Sequence, residues 1–316
     1  MKVVVTGGAG FIGANLCRTL AGRAEVVALD NLSTGSRSNL WDLPVGFVEG
    51  SILDRPLLDR VLDGADAVVH LAARPSVPRS LADPLASHEA NATGTLTVLE
   101  AARRAGAYLV AASSSSVYGS VPTLPKHEDL PTRPLSPYAA SKLAAEAYLL
   151  AYAASYDLPA LALRFFNVFG PLQSAGHAYA AVVPAFVDAA LRGEPVRVHG
   201  DGRQTRDFTY VGSVCEVLAD AVTRRVTADT PVNLAFGGRV SIAELVAQLS
   251  TMVGGGLAVE HDPPRRGDVR DSQADDGRLR ALFPHIEPVP FPVGLRQTLD
   301  WYRAQPQYAA STAAAR

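Results

Sequence analysis

Val3-Val4-Val5-Thr6-Gly7-Gly8-Ala9-Gly10-Phe11-Ile12-Gly13 decides the fold. A β-branched apolar run meets glycines spaced G-x-x-G-x-x-G, and the residues from Ile12 to Ala21 then follow a helical period. Gly7 permits a sharp turn, Gly10 lets an anion approach the backbone, and Gly13 lets the helix pack close to the strand. The helix N-terminus also turns N–H groups and the positive end of its dipole toward that anion. A strand, a glycine turn and a helix in this order predict a phosphate-cradling βα unit.

The same alternation continues outward. Lys2–Thr6, Glu25–Leu29, Val45–Glu49, Ala67–Leu71, Tyr108–Ala112 and Leu161–Phe165 read as buried strands. Ile12–Ala21, Pro56–Leu62, Ala90–Arg104 and Tyr138–Tyr156 read as helices between them. Continuous apolar strands separated by helices predict a parallel sheet covered on both faces, the Rossmann-type doubly wound α/β class. From Asn167 onward prolines and glycines break this rhythm. Residues 1–166 are therefore expected to form a dinucleotide-binding domain, and 167–304 a smaller substrate-binding region with segments returning to the main sheet. The alanine-rich residues 305–316 are expected to be a frayed tail.

Asp30 ends the second strand, where a carboxylate can accept the hydroxyls of an adenosine ribose and repel a 2′-phosphate. NAD is therefore expected rather than NADP. The 316 residues are 48% hydrophobic and 19% charged, with a net charge of -2. That excludes wholesale disorder and offers no long-range attraction to nucleic acid or acidic membranes. No apolar run is long enough to span a bilayer, nor does a secretory leader precede Val3, so a cytoplasmic protein is expected. Cys17 and Cys215 stand far apart and read as buried small hydrophobes.

Ser136-Pro137-Tyr138-Ala139-Ala140-Ser141-Lys142 carries a second signal. Ser136 suits an N-cap and Pro137 a first helical turn, which puts Tyr138 and Lys142 at i and i+4 on one face. A phenol is a weak base at neutral pH, since its ordinary pKa is about 10; the ammonium of Lys142 and a positive nicotinamide ring are expected to lower it. A bare Y-x-x-x-K is common on exposed helices. Here Ser113-Ser114-Ser115-Ser116-Val117-Tyr118-Gly119 follows the fifth strand, so its hydroxyls emerge at the carboxyl end of the sheet, where such folds bind ligands. A serine there can share a substrate hydroxyl with Tyr138.

With these motifs the chain resembles an extended short-chain dehydrogenase/reductase of the NAD-dependent epimerase/dehydratase family, and within it the UDP-sugar 4-epimerases. The likeness runs from Lys2 to about Trp301. It includes D-N-L-S-T-G at 30–35, H-L-A-A at 70–73, N-A-T-G-T at 91–95, R-F-F-N-V-F-G-P at 164–171, G-D-G-R-Q-T-R-D-F at 200–208 and R-R-G-D-V at 265–269. The resemblance implies that Ser114, Tyr138 and Lys142 are catalytic. It implies that Gly7, Gly10, Phe11, Ile12, Gly13, Asp30, Asn31, Ser33, Thr34 and Gly35 bind NAD. Ser51, Ile52, Leu71, Ala72, Ala73, Asn91 and Phe165 join them, with Tyr138 and Lys142, and Asn91 would also order the helix beside the site. For the UDP-sugar it implies Ser114, Ser115, Tyr138, Asn167, Val183, Arg192, Arg206, Arg265 and Asp268. Gly50-Ser51-Ile52 departs from the family's usual G-D-I, so the adenine contact differs; Asp54 is placed either to compensate or to cap a helix. The two long helices resemble the family's dimer-forming pair, which implies a homodimer.

All members of the family begin by oxidising C4 of the sugar, so the next step distinguishes them. The 4,6-dehydratases resemble S-T-D-E-V-Y-G, and UDP-glucuronate decarboxylases carry Glu immediately before V-Y-G. Ser115 and Ser116 offer no carboxylate at those positions, which leaves oxidation, rotation of the 4-keto sugar and re-reduction: a UDP-sugar 4-epimerase. UDP-glucose/UDP-galactose and UDP-glucuronate/UDP-galacturonate both remain open as substrates, with Ser174, where uronate epimerases of similar type often carry Arg, counting against the second pair. The alternatives are a UDP-glucuronate decarboxylase, a nucleotide-sugar 4,6-dehydratase, or a non-catalytic NAD-binding relative; the last class usually lacks the Tyr or the Lys.

Overall fold

The computed structural model describes residues 1–175, 180–263 and 270–308. Strand β1 (Lys2–Thr6) leads through the glycine turn into α1 (Phe11–Leu20), followed by β2 (Glu25–Asp30), β3 (Gly46–Glu49), α2 (Arg55–Leu62) and β4 (Ala67–His70). Two short helices, α3 (Val77–Ala82) and α4 (Pro84–His88), run through a π-turn at Glu89–Thr93 into α5 (Gly94–Ala105). Then come β5 (Tyr108–Ser114), α6 (Pro137–Tyr156), β6 (Ala160–Phe165), β7 (Val168–Phe169), α7 (Val182–Arg192) and β8 (Val196–His199). The rest comprises β9 (Thr205–Arg206), β10 (Thr209–Tyr210), α8 (Val211–Arg224), β11 (Val232–Leu234), β12 (Val240–Ser241), α9 (Ile242–Val253), β13 (Val259–Asp262), α10 (Gly277–Leu282) and α11 (Phe291–Arg303).

Seven strands form one sheet in the order β11-β6-β5-β4-β1-β2-β3, with every pairing parallel. This is the Rossmann-type doubly wound fold. Val3 and Val5 face a core shared with Leu16 and Leu20 of α1 and with Val214 and Leu218 of α8. Val4 faces the opposite core, made with Leu58 and Leu62 of α2 and Leu99 of α5. Burying both faces is why these strands read as unbroken apolar runs, each fully buried leucine contributing about 2 kcal/mol.

Local chemistry sets the helix ends. Ser136 caps α6 by accepting from Ala139 N at 3.1 Å, with Pro137 in the first turn. Asp54 caps α2, accepting from Leu57 N at 3.0 Å, which decides between its two expected roles. The helix expected over Ala90–Arg104 opens instead with the wider π-turn, where the Thr95 hydroxyl bonds Asn91 O.

The second half of the chain divides between two bodies. α8 and β11 complete the dinucleotide-binding layers, because Val232–Leu234 pairs with Leu163–Phe165. α7, α9 and α11 enclose a separate core around Phe169, Phe186, Leu245 and Leu299. The chain expected to fray from Gln305 is packed as far as Tyr308, which is 3% exposed and donates its hydroxyl to Asp188. Residues 309–316 lie outside the described residues.

Candidate active site

A cleft of about 1800 Å³ opens at the carboxyl ends of the parallel strands. It lies over the sheet's switch point, where β1 has β4 on one side and β2 on the other. The glycine turn forms its floor. Gly7 has φ +69, in the left-handed region, and a Cβ on Gly13 would sit 2.1 Å from Gly7 O. No side chain caps α1, whose N-cap is Gly10. The cradle is therefore backbone, shaped as the pyrophosphate of a dinucleotide requires.

Asp30 lines the same cleft and is 7% exposed. Its Oδ2 accepts from Ala9 N at 3.0 Å and its Oδ1 from Leu32 N at 2.7 Å. The carboxylate thus fixes the glycine loop while keeping lone pairs for ribose hydroxyls. Phe11, Ile12, Asn31, Ser33, Thr34, Ser51, Ile52, Leu71, Ala72, Ala73 and Phe165 line the cleft as well. Two residues expected to contact the cofactor are not among those lining the cleft. Gly35 packs beneath the turn, where a Cβ would lie 2.7 Å from Ala9 C. Asn91 is 1% exposed and braces the wall from behind: its Oδ1 accepts from Arg74 N at 2.7 Å and its Nδ2 donates to Ser141 Oγ at 2.9 Å.

Ser114, at the end of β5, stands beside the Tyr138 phenol and favours its ionised form. Ser114 Oγ also accepts from Ser116 N (3.2 Å) and Ser116 Oγ (2.8 Å). With two donors aimed at its lone pairs, the Ser114 hydroxyl is left to donate its own proton toward the phenol. Burial pushes Tyr138 above its ordinary value, and the Ser114 bond acts against that rise. The expected lowering by Lys142 is thus not what the protein groups produce, because desolvation of the phenolate is the larger effect. Lys142 is 5% exposed, and burial pulls its ammonium down to about 8 while Glu146 opposes the fall. Glu146 is itself buried, bidentate with Arg164 at 2.9 and 2.6 Å and accepting from Ser113 Oγ at 2.6 Å.

Ser115, Asn167, Arg192 and Arg206 also line the cleft. Asn167 Nδ2 donates to Asp207 O (3.3 Å) and Ser272 Oγ (3.5 Å). Arg206 Nη1 donates to Thr205 O and Arg270 O, both at 2.9 Å. Arg192 is tied to Asp188 at 2.9 Å. Val183 does not reach the cleft: at 1% exposure it is part of the α7 core, where the apolar helical face places it. Arg265 and Asp268 lie outside the described residues. Lys126, Ser272, Trp301 and Tyr302 also line the cleft and were not singled out from sequence. The two cysteines are buried and free, with burial raising Cys17 to about 12, as small core hydrophobes would be.

Residues 3–235 match the profile of the NAD dependent epimerase/dehydratase family. The chain belongs to that family. A UDP-glucose 4-epimerase from Mycolicibacterium smegmatis is 38% identical over 315 residues, covering 97% of this chain and 100% of the relative. The structure of a Thermus thermophilus UDP-glucose 4-epimerase in complex with NAD superposes with TM-score 0.87 at 38% identity, over 96% of this chain and 99% of that one. A dTDP-glucose 4,6-dehydratase from Streptomyces venezuelae with NAD bound gives TM-score 0.88 at 33% identity, over 98% of both chains. This member of the epimerase/dehydratase family uses NAD, and its glycine cradle and Asp30 fit that cofactor. Among the described residues no helix is long and apolar enough to cross a membrane.

Proposed function

We propose that this enzyme is a UDP-sugar 4-epimerase. It oxidises the sugar at C4, lets the 4-keto sugar turn in the cleft, and reduces it from the opposite face. NAD, when bound, supplies the hydride acceptor and donor together with a positive ring near the phenol. Gly7, Gly10, Gly13 and the first turn of α1 would hold the pyrophosphate and Asp30 the adenosine ribose. Phe165 would lie by the nicotinamide and Lys142 would hold its ribose. Tyr138 takes the proton of the C4 hydroxyl through its phenolic oxygen and returns it at the end of the cycle. Ser114 donates to that oxygen and offsets part of the cost that burial imposes on the phenolate. Asn167, Arg206, Arg265 and Asp268 are proposed for the nucleotide side of the substrate.

One observation carries the choice of reaction. Ser116 stands where a decarboxylase or dehydratase would have a carboxylate, and its hydroxyl is bound back onto Ser114 at 2.8 Å. The group therefore supports the oxidation step and carries no proton for an elimination. The test is incubation of the purified protein with UDP-glucose and, separately, with UDP-glucuronate, followed by proton NMR. A changed H4 coupling without loss of water or carbon dioxide supports the reading; a 6-deoxy-4-keto product, or carbon dioxide from the uronate, overturns it. The enzyme is further proposed to act in the cytoplasm as a homodimer, with α5 and α6 pairing across the two-fold. Tyr148 and Tyr156 of α6 are 44% and 53% exposed, the kind of surface such a bundle covers.

A further inference from the structure

Lys126 lies in the cleft wall and has no part in the mechanism above. It is 5% exposed. Its backbone is clamped: its N–H donates to Gln273 O at 2.7 Å, and its carbonyl accepts from Asp275 N and Asn233 Nδ2, both at 2.8 Å. Its Nζ donates to Val121 O. Among the described residues it forms no ion pair. The buried Glu128 nearby accepts from Asn233 N at 2.8 Å and approaches Arg278 at 3.8 Å instead. An ammonium taken out of water is costly unless an anion compensates it, and one carbonyl satisfies one of its three donors. Burial accordingly pulls the amine below its ordinary value.

Two connections locate this charge. Val121 N bonds Tyr118 O at 3.1 Å, so the carbonyl that Lys126 holds belongs to the turn leaving the Ser114–Tyr118 run. Gln273, on its other side, follows the cleft residue Ser272. A group beside the serines that serve C4 lies toward the ring's C3 and C5 substituents, and of these only C5 carries a carboxylate in a hexuronate, whereas the diphosphate leaves from C1 across the ring. Two other cleft cations already have carboxylates: Arg74 has Asp83 at 3.5 Å and Arg192 has Asp188.

We propose that Lys126 is a specificity-determining residue whose ammonium receives a carboxylate at C5 of the sugar, which makes the substrate a UDP-hexuronate. The proposal rests on the UDP-sugar 4-epimerase reading and names its substrate class.

Calorimetric titration of the NAD-loaded enzyme with UDP, UDP-glucose and UDP-glucuronate tests it in wild type, Lys126→Met and Lys126→Arg. Wild type is expected to bind UDP-glucuronate at least tenfold more tightly than UDP-glucose, the scale of one charge-assisted hydrogen bond. Lys126→Met should remove that preference through the uronate alone, changing UDP and UDP-glucose by less than about twofold. Lys126→Arg should restore most of it, and in turnover the loss should fall on KM for the uronate. Equal weakening of both sugars marks a structural lysine and overturns the proposal. Weakened binding of UDP itself marks a diphosphate contact and overturns it too. A uronate preference without any epimerisation refutes the reaction and leaves the recognition standing; epimerisation of both sugars without preference does the reverse.

Discussion

Lys142 is the residue whose replacement should separate stability from chemistry. Its ammonium sits at about 8 against an ordinary 10.5. The unfolded chain keeps the ordinary value, so between pH 8 and 10.5 it binds a proton that the folded chain has released. Stability therefore rises with pH across that window, and below pH 8 the fold bears the whole cost of a buried charge. The span is 10.5 − 8 = 2.5 units, or about 3 kcal/mol at 1.36 kcal/mol per unit. Lys142→Met keeps a long unbranched side chain and removes the charge. In NAD-free protein at pH 7 it should gain about 3 kcal/mol, roughly 5 °C in Tm for a chain of this length. The gain should shrink above pH 8 and vanish near 10.5. Turnover at saturating NAD should fall by about 10²-fold or more. Thermal unfolding of both proteins from pH 7 to 10.5, paired with the NMR turnover assay, measures all three quantities. A variant less stable than wild type at pH 7, or two stability curves that stay parallel through the window, would refute the reasoning.

Other groups give sharper single readouts. Tyr138→Phe should lose about 10²–10⁴-fold in turnover while NAD content and Tm stay unchanged, since only the proton carrier is removed; retained turnover contradicts its role. Gly13→Ala places a methyl 2.1 Å from Gly7 O. The turn must move, so the purified protein should come without NAD and lose about 1–3 kcal/mol of stability, read by absorbance of released cofactor and by urea unfolding. Glu146→Gln strands Arg164 in a site where both side chains are 4% exposed. It should cost about 3–5 kcal/mol. It also removes the charge that holds Lys142 up, so the alkaline limb of the kcat/KM profile should move to lower pH.

Much of this molecule was legible because local and tertiary requirements agree. β1 occupies Lys2–Thr6 as the apolar run predicted, and α6 starts where Ser136 and Pro137 place a cap and a first turn. The proximity of Ser114 and Tyr138 could be read because both lie at element ends that the parallel sheet brings together. Misplacements occurred where one residue type suits two environments. Val183 belongs to an amphipathic helix whose apolar face serves a core and not a ligand. Asn91, expected both among the NAD contacts and as the residue that orders the helix beside the site, sits where the second role needs it, with both ends of its amide on the Arg74 backbone. Lys126 stands in an irregular proline-flanked stretch, where no periodicity reports burial; only the long-range pairing with Gln273 encloses it. Motif spacing reports the charge beside Tyr138 and not the desolvation set by the whole cleft, which pushes the phenol up in the protein alone; the lowering expected from the nicotinamide ring belongs to the NAD-bound enzyme.

Those misplaced and unassigned polar groups make sense as one directed chain. Thr95 donates its hydroxyl to Asn91 O, so its oxygen can only accept from His70 Nε2 at 3.0 Å. His70 is then the Nε2–H tautomer, and its Nδ1 accepts from the Thr6 hydroxyl at 2.7 Å, whose oxygen accepts Ala72 N at 3.3 Å. Every proton in the sequence Ala72, Thr6, His70, Thr95, Asn91 is assigned by the one before it. An extra proton on His70 would have to replace the bond from Thr6, and burial together with Lys142 already pushes this imidazole down to about 3. His70 is therefore a fixed neutral strut, not a competing base, although it sits near Lys142. From Asn91 the connection passes through Ser141 Oγ, which donates to Tyr138 O at 2.8 Å. One uncharged network thus ties the end of β4, where residues lining the cleft begin, to the first turn of α6. The proton chemistry proposed for the cleft is left to Tyr138, Ser114 and Lys142.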